Sequence, residues 1–217
     1  MPLVASLTND EQLEAISLYE SGLSAQQVAD NLGVGIDAIF YTLRKHQINR
    51  RTTTESNRIR FERKPSSYSI KSELLEEEER LKLAAIMLYW AEGYKVGGNH
   101  VDFANSDPKM ALLFKKFLSE ICRVDEKRIR CSLYCYEGQD IEALTVFWSN
   151  LLSVPTSQFF KPYIKKQSIP GPRGARMTNG LVHIRYYDTK LLRQLLAWID
   201  EYADKCVGGG VVNRDWL

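Results

Sequence analysis

The sequence is short of several things at once. Net charge is one: 29 Lys and Arg against 27 Asp and Glu leave a formal +2, so no global field points to an acidic partner. No apolar run is long enough to span a bilayer and no segment reads as a signal peptide. The expectation is a protein with no membrane partner, cytoplasmic, and nucleoid-associated in a prokaryote. Cysteine is sparse, at Cys122, Cys131, Cys135 and Cys206. Without an export signal these thiols are expected to stay reduced. His46, His100 and His183 are scattered and do not join the cysteines at ligand spacing, so no structural metal is assigned. Cys131 and Cys135 share a strand-like face with Leu133 and read as small buried apolar residues. Internal repeats are absent as well.

What is present is enough for real cores. Apolar residues make up 44% of 217, which excludes wholesale disorder and suits a medium domain plus a small one. Residues 1–49 read as compact helices, 50–71 as a basic linker broken at Pro65, 72–206 as an α+β domain, and 207–217 as a loose, glycine-bearing tail.

The small domain carries two capping signatures. Thr8 stands three residues before Glu11, and Ser24 three before Gln27, each pair able to satisfy orphan amides at a helix start. A helix with Leu13, Ile16 and Tyr19 stops at Gly22; a short one turns Val28, Ala29 and Leu32 inward and breaks at Gly33. After Gly35 a third helix carries Ile36, Ile39 and Leu43 on one face. Ala29, Gly33 and Ile39 fall at the offsets of a helix-turn-helix: a small residue at the crossing, a positive-φ turn, and a core plug. Over about forty residues the segment resembles the resolvase-like and sigma-like helix-turn-helix families. The resemblance implies that the third helix enters the major groove with Asp37, Tyr41, Arg44 and Lys45 outward, Arg44 meeting phosphate or guanine. Asp37 either accepts from a cytosine amine or simply favours the helix dipole.

Charge then concentrates. Residues 44–71 hold nine basic and two acidic side chains, +7 in 28 residues. Arg50, Arg51, Arg58 and Arg60 are the expected DNA contacts of an arm along the backbone or in a minor groove, a solvated linker being the plainer alternative.

In the larger domain, residues 73–93 read as one helix with acidic first turns and an apolar stretch from Leu81 to its end, expected to be buried on all sides. It ends in Glu92 and Gly93, a costly place for a charge unless something meets it. A hairpin is expected over 94–104 with its turn at Gly97, Gly98 and Asn99. Then come a helix to Cys122, a strand over 128–136, a helix over 141–152, a proline-punctuated basic stretch over 155–166, a strand over 181–187 and a helix over 189–206. The order gives an α+β sheet with helices on one face, its other face open.

With residues 85–93, this order resembles the LAGLIDADG homing endonuclease family over roughly residues 80–206. The nine-letter motif falls on 85–93, with Ala91, Glu92 and Gly93 in its last three places; Met87 and Trp90 depart from its small third and acidic sixth residues. The stretches 103–108 and 158–163 also look like those of single-motif members and of regulators descended from them. The resemblance implies an αββαββα domain with an antiparallel sheet, a homodimer on double-stranded DNA, and Glu92 as the metal-binding, catalytic acid, one from each chain holding Mg2+ with the scissile phosphates. Metal-activated water then attacks phosphorus. Arg185 best matches the basic residue that neutralises the developing charge, with an ordinary phosphate contact as its alternative, and His183 shares its face. Lys161, Lys165, Lys166, Arg173 and Arg176 are expected on the DNA backbone, and Arg128 and Arg130, sharing a strand face, at base edges. The function expected is a sequence-specific DNA-binding protein of homing-endonuclease type, the alternative being a regulator of the same fold that does not cut.

Overall fold

The structure, a computed structural model, describes residues 7–95, 98–166 and 177–207. It is α+β, and the chain divides into two compact units, Met1–Pro65 and Ser66–Leu217.

In the first unit, α1 (Asn9–Glu20), α2 (Ala25–Leu32) and α3 (Ile36–Lys45) start where the capping residues put them. Thr8 N–H donates to Glu11 Oε2 at 2.7 Å, and Ser24 N–H to Gln27 Oε1 at 2.9 Å. Gly33 closes α2 at φ +65; a Cβ there would meet nothing within 4 Å, so its backbone conformation, not space, calls for glycine. Ala15, Val28, Ala29, Ile39 and Leu43 are fully buried between the helices.

The stretch expected as a linker differs most. Residues Thr53–Arg63 form α4, and it belongs to the first unit. Thr52 and Glu55 make a third capping box, with Thr52 N–H donating to Glu55 Oε2 at 2.7 Å, and Arg58 pairs with Glu62 one turn on at 3.8 Å. No residue of α4 is buried. It is seated by Ile59 against Gly22, where a Cβ would come within 3.1 Å of Ile59 Cγ2, and by Arg63 Nη2 donating to the Ser21 carbonyl at 2.8 Å. Lacking an apolar stripe, the helix rests on its cap and these contacts, which periodicity does not reveal.

The second unit begins at Ser66, inside the former linker. The Ser69 and Lys71 amides donate to the carbonyls of Cys122 and Ile121 at 3.1 and 2.9 Å, and Ser67 Oγ to Asp188 Oδ2 at 2.6 Å. Then follow α5 (Glu76–Glu92), β1 (Val101–Asn105), α6 (Pro108–Glu120), β2 (Ile129–Tyr136), α7 (Ile141–Leu152), β3 (Tyr163–Lys165), β4 (Leu181–Tyr186) and α8 (Thr189–Val207). The sheet order is β1-β4-β2-β3. The pairs β1/β4 and β4/β2 are antiparallel, but β3 runs parallel to β2, so the sheet is mixed rather than antiparallel throughout. The chain reaches β3 through α7, a crossover that brings it back in the direction of β2. The expected hairpin is reduced to β1 and one bridge, Gly93 to Phe103; residues 96–97 within it lie outside the described residues.

Alternation along the strands sorts the two faces. Val101, Phe103, Ile129, Cys131, Leu133, Val182, Ile184 and Tyr186 point into one core with the helices. Phe103 stacks on Phe114 at 4.4 Å and Phe114 on Tyr89 at 5.6 Å. A buried ring of this size contributes about 2–3 kcal/mol by removal of apolar surface from water. Cys122, Cys131 and Cys135 are buried thiols, and burial pushes Cys131 up to about 12. Among the described residues no helix is long and apolar enough to cross a membrane.

The helix α5 is not buried on all sides. Ala85, Ile86 and Tyr89 are its buried residues; Leu83, Ala84, Met87 and Leu88 are half-buried, and Trp90, Ala91 and Glu92 exposed. The sheet and the helices α6 and α8 cover one side of it, and among the described residues of this unit no further element packs on its apolar outer flank.

Candidate nucleic-acid interface

On α3 the exposed side chains are Asp37, Tyr41, Arg44 and Lys45. A period of 3.6 sets Asp37, Tyr41 and Arg44 along one stripe, opposite the buried Ile39. Lys45 stands at the flank and is anchored: its Nζ donates to Gln12 Oε1 at 2.9 Å. Asp37 lies in the first turn and Arg44 in the last, each at the helix end that favours its charge.

The arginines that follow are fixed by the fold. Arg50 places its guanidinium 3.7 Å from the centre of the Phe40 ring, and Arg51 3.9 Å from that of Tyr19. Arg51 also donates to the carbonyls of Tyr19 and Leu23, while its amide donates to Tyr19 Oη at 3.0 Å. Expected as a DNA contact, Arg51 is a clamp between α1 and the entry to α4. Arg58 faces outward, paired with Glu62, whereas Arg60 points to a cleft shared with Arg50, Arg51 and Arg63.

In the second unit the open face of the sheet brings together residues from three strands. Register places Asp102, Arg185 and Arg130 in one row, and Ala104, His183 and Ser132 in the next. Asp102 is the hub. Arg185 Nε donates to its Oδ2 at 2.8 Å, His183 Nδ1 lies 2.8 Å from its Oδ1, and Arg185 Nη1 donates to Ser132 Oγ at 2.9 Å. Burial raises the Asp102 carboxyl, but the hydrogen bonds from His183 and Arg185 outweigh it and hold the group below the ordinary carboxylate range. Burial lowers His100, stacked on Tyr187 at 4.7 Å, although Asp102 beside it pulls the other way.

Beyond this hub stands a row of rings: Tyr134 lies 4.9 Å from His183 and 4.8 Å from Tyr163. Lys161, Lys165 and Lys166 are exposed around β3. Arg173 and Arg176 lie outside the described residues. The two strand arginines do not share a face. Arg128 ends the turn Glu126–Arg128, with its guanidinium 5.3 Å from the centre of Tyr186 and its Nη2 donating to the Tyr187 carbonyl at 2.8 Å. Arg130 alone belongs to the open face, donating to the carbonyls of Lys127 and Ile129. The strand begins at Ile129, one residue later than expected, which leaves Arg128 in the turn and out of the alternation.

Glu92 is the last residue of α5, exposed, and Gly93 beside it pairs with Phe103 of β1, one residue from Asp102. A Cβ on Gly93 would come within 2.5 Å of the Tyr89 ring and carbonyl, so the turn that ends α5 against the sheet admits only glycine. Asp102, Ser132, Tyr134 and Tyr163 escaped the sequence reading. Alternation marks Asp102, Ser132 and Tyr134 as facing away from the core, but the register that joins them to each other and to Tyr163 needs the pairing itself. Compared with known proteins, the chain matches no family model, no curated protein and no solved structure.

Proposed function

We propose that the chain is a sequence-specific binder of double-stranded DNA, with a homing-type endonuclease as its second unit, active as a homodimer. Glu92 carries the reading: an exposed carboxylate ends a helix whose outer flank, Leu83, Ala84, Met87, Leu88 and Ala91, is apolar and incompletely covered. Such a flank suits a second copy of itself, and a two-fold axis along it brings two Glu92 side chains together. In the first unit, Asp37, Tyr41 and Arg44 form an outward stripe on α3 of a size that fits a major groove.

Among the described residues no group of three His, Cys, Asp or Glu side chains is placed to hold a metal ion. An ion would need Glu92 of both copies and phosphate oxygens of the DNA, so no chemical step is routed through it. The second reading, a regulator that does not cut, is favoured by one observation: Arg185 is already held by Asp102. The test is incubation of a randomised duplex library with magnesium, wild type beside Glu92→Gln. The proposal expects cuts at one enriched sequence by the wild type, at least 100-fold fewer by the variant, and equal binding by both. Equal binding with no cutting by either leaves the regulator; no enrichment at all removes sequence-specific DNA reading.

A further inference from the structure

The first unit contains a cleft whose lining includes none of Asp37, Tyr41 and Arg44 of the outward α3 stripe. It is open, about 930 Å³ in volume, and is bounded by Gly22 between α1 and α2, by Phe40 of α3 and by the inner side of α4. That size lies within the range of small-molecule and cofactor sites.

Its chemistry is one-sided. Four arginines line it, Arg50, Arg51, Arg60 and Arg63, and no carboxylate is among its lining residues. The carboxylates of α4 are turned to other tasks. Glu55 caps Thr52, its charge felt also by Arg51, and Glu62 pairs with Arg58 on the outer side. Sequence segregation explains the imbalance: residues 1–43 hold six carboxylates and no Lys or Arg, whereas 44–65 hold eight Lys and Arg and two carboxylates. Folding α4 back onto the unit gathers part of that second block around one cavity. Gathering like charge opposes folding unless an anion offsets it.

The arginines are also pre-oriented. Phe40 and Tyr19 hold the guanidinium planes of Arg50 and Arg51, and the Ser21 carbonyl holds Arg63. Planar, fixed guanidinium groups match phosphate oxygens in pairs, and their faces stack on flat rings. The Ser24 and Gln27 amides at the start of α2 are already taken by their capping box.

We propose that this cleft is a binding site for a nucleoside phosphate, its phosphates on Arg60 and Arg63 and its base against the Arg50–Phe40 stack. The same chemistry is offered by a free nucleotide and by the phosphorylated end of a nucleic-acid strand. The site is independent of major-groove reading by α3.

The experiment is a calorimetric titration of the full chain with ADP, with a 5′-phosphorylated single-stranded tetranucleotide, and with a blunt 20-base-pair duplex. Wild type is set beside Arg60→Glu and Arg58→Glu, which carry the same charge change on the inner and outer sides of α4, with circular dichroism to establish that both fold. The expected result is saturable binding of ADP or of the tetranucleotide, weakened at least tenfold by Arg60→Glu and less than twofold by Arg58→Glu. The probe that binds names the source. Binding of neither, or equal loss in both variants, overturns the site. Duplex binding lost while ADP binding persists counts against DNA recognition by the chain and leaves this site standing.

Discussion

In the first unit Arg50, Arg51 and Arg63 stand on aromatic rings and carbonyl oxygens; in the second, Arg185 stands on a carboxylate. Rings and carbonyls orient a guanidinium without cancelling its charge, so an incoming phosphate meets nearly the full field. A carboxylate cancels it, so a phosphate reaching Arg185 must first compete with Asp102. The cores differ too. Eight buried residues make up the first, and twenty-eight the second. A small core is marginal by itself, which is why the first unit leans on three capping boxes. The comparison teaches a division of labour: attraction is built into the lightly stabilised unit, and a gated, self-neutralised polar network into the heavily stabilised one.

The largest expected effect breaks the units apart. Phe114→Ala removes a ring stacked on Phe103 and Tyr89 and is expected to cost about 3–5 kcal/mol. All four tryptophans, Trp90, Trp148, Trp198 and Trp216, belong to the second unit, so tryptophan fluorescence reports its unfolding alone. The expected outcome is an earlier denaturant midpoint in fluorescence with unchanged hydrogen exchange over residues 7–63.

Next in size is Asp102→Asn. It is expected to lower stability by about 1–3 kcal/mol, since Arg185 and His183 lose a charged acceptor, and to raise duplex affinity at low salt by releasing Arg185. The carboxyl lies below its ordinary value when folded, so its contribution is complete above about pH 4 and fades as acid titrates it further down. Thermal melts from pH 7 to pH 2 therefore fall more steeply below pH 4 for the wild type than for the variant. Parallel curves remove Asp102 as the hub.

The smallest effect belongs to Thr52→Ala. Losing the cap is expected to cost about 1 kcal/mol, read as faster amide exchange over residues 53–63 while the α1–α3 core is unmoved. Exchange that accelerates throughout the first unit instead means that α4 is integral to its core.

Local chemistry was the legible part of this fold. The caps at Thr8 and Ser24, the positive φ of Gly33, the outward stripe of α3 and the bounds of α7 all follow from neighbours in sequence. The same capping rule applied at Thr52 and Glu55 would have found α4; the charge of the segment hid it. Strand β3 was not legible, because three exposed residues give no alternation to count. The candidate site was half legible. Glu92, His183 and Arg185 stand out by residue type, but Asp102, which sets the charge that Arg185 presents, enters only through strand register. The exposed flank of α5 was misread because an apolar helix is assumed buried by its own chain, whereas a partner satisfies the same pattern.

The strand order has a consequence for the chain as it leaves the ribosome. The first unit is drawn from residues 1–65, all of which precede the second. The second cannot close early: β4, which joins β1 to β2, is the last strand to be made, and Ser67 waits for Asp188. Until residue 188 emerges, β1 lacks its partner strand and β2 keeps one bare edge, both lined on one side with core residues. Synthesis therefore passes through an interval in which the first unit precedes an unfinished sheet, and slow translation between residues 136 and 188 would lengthen that exposure.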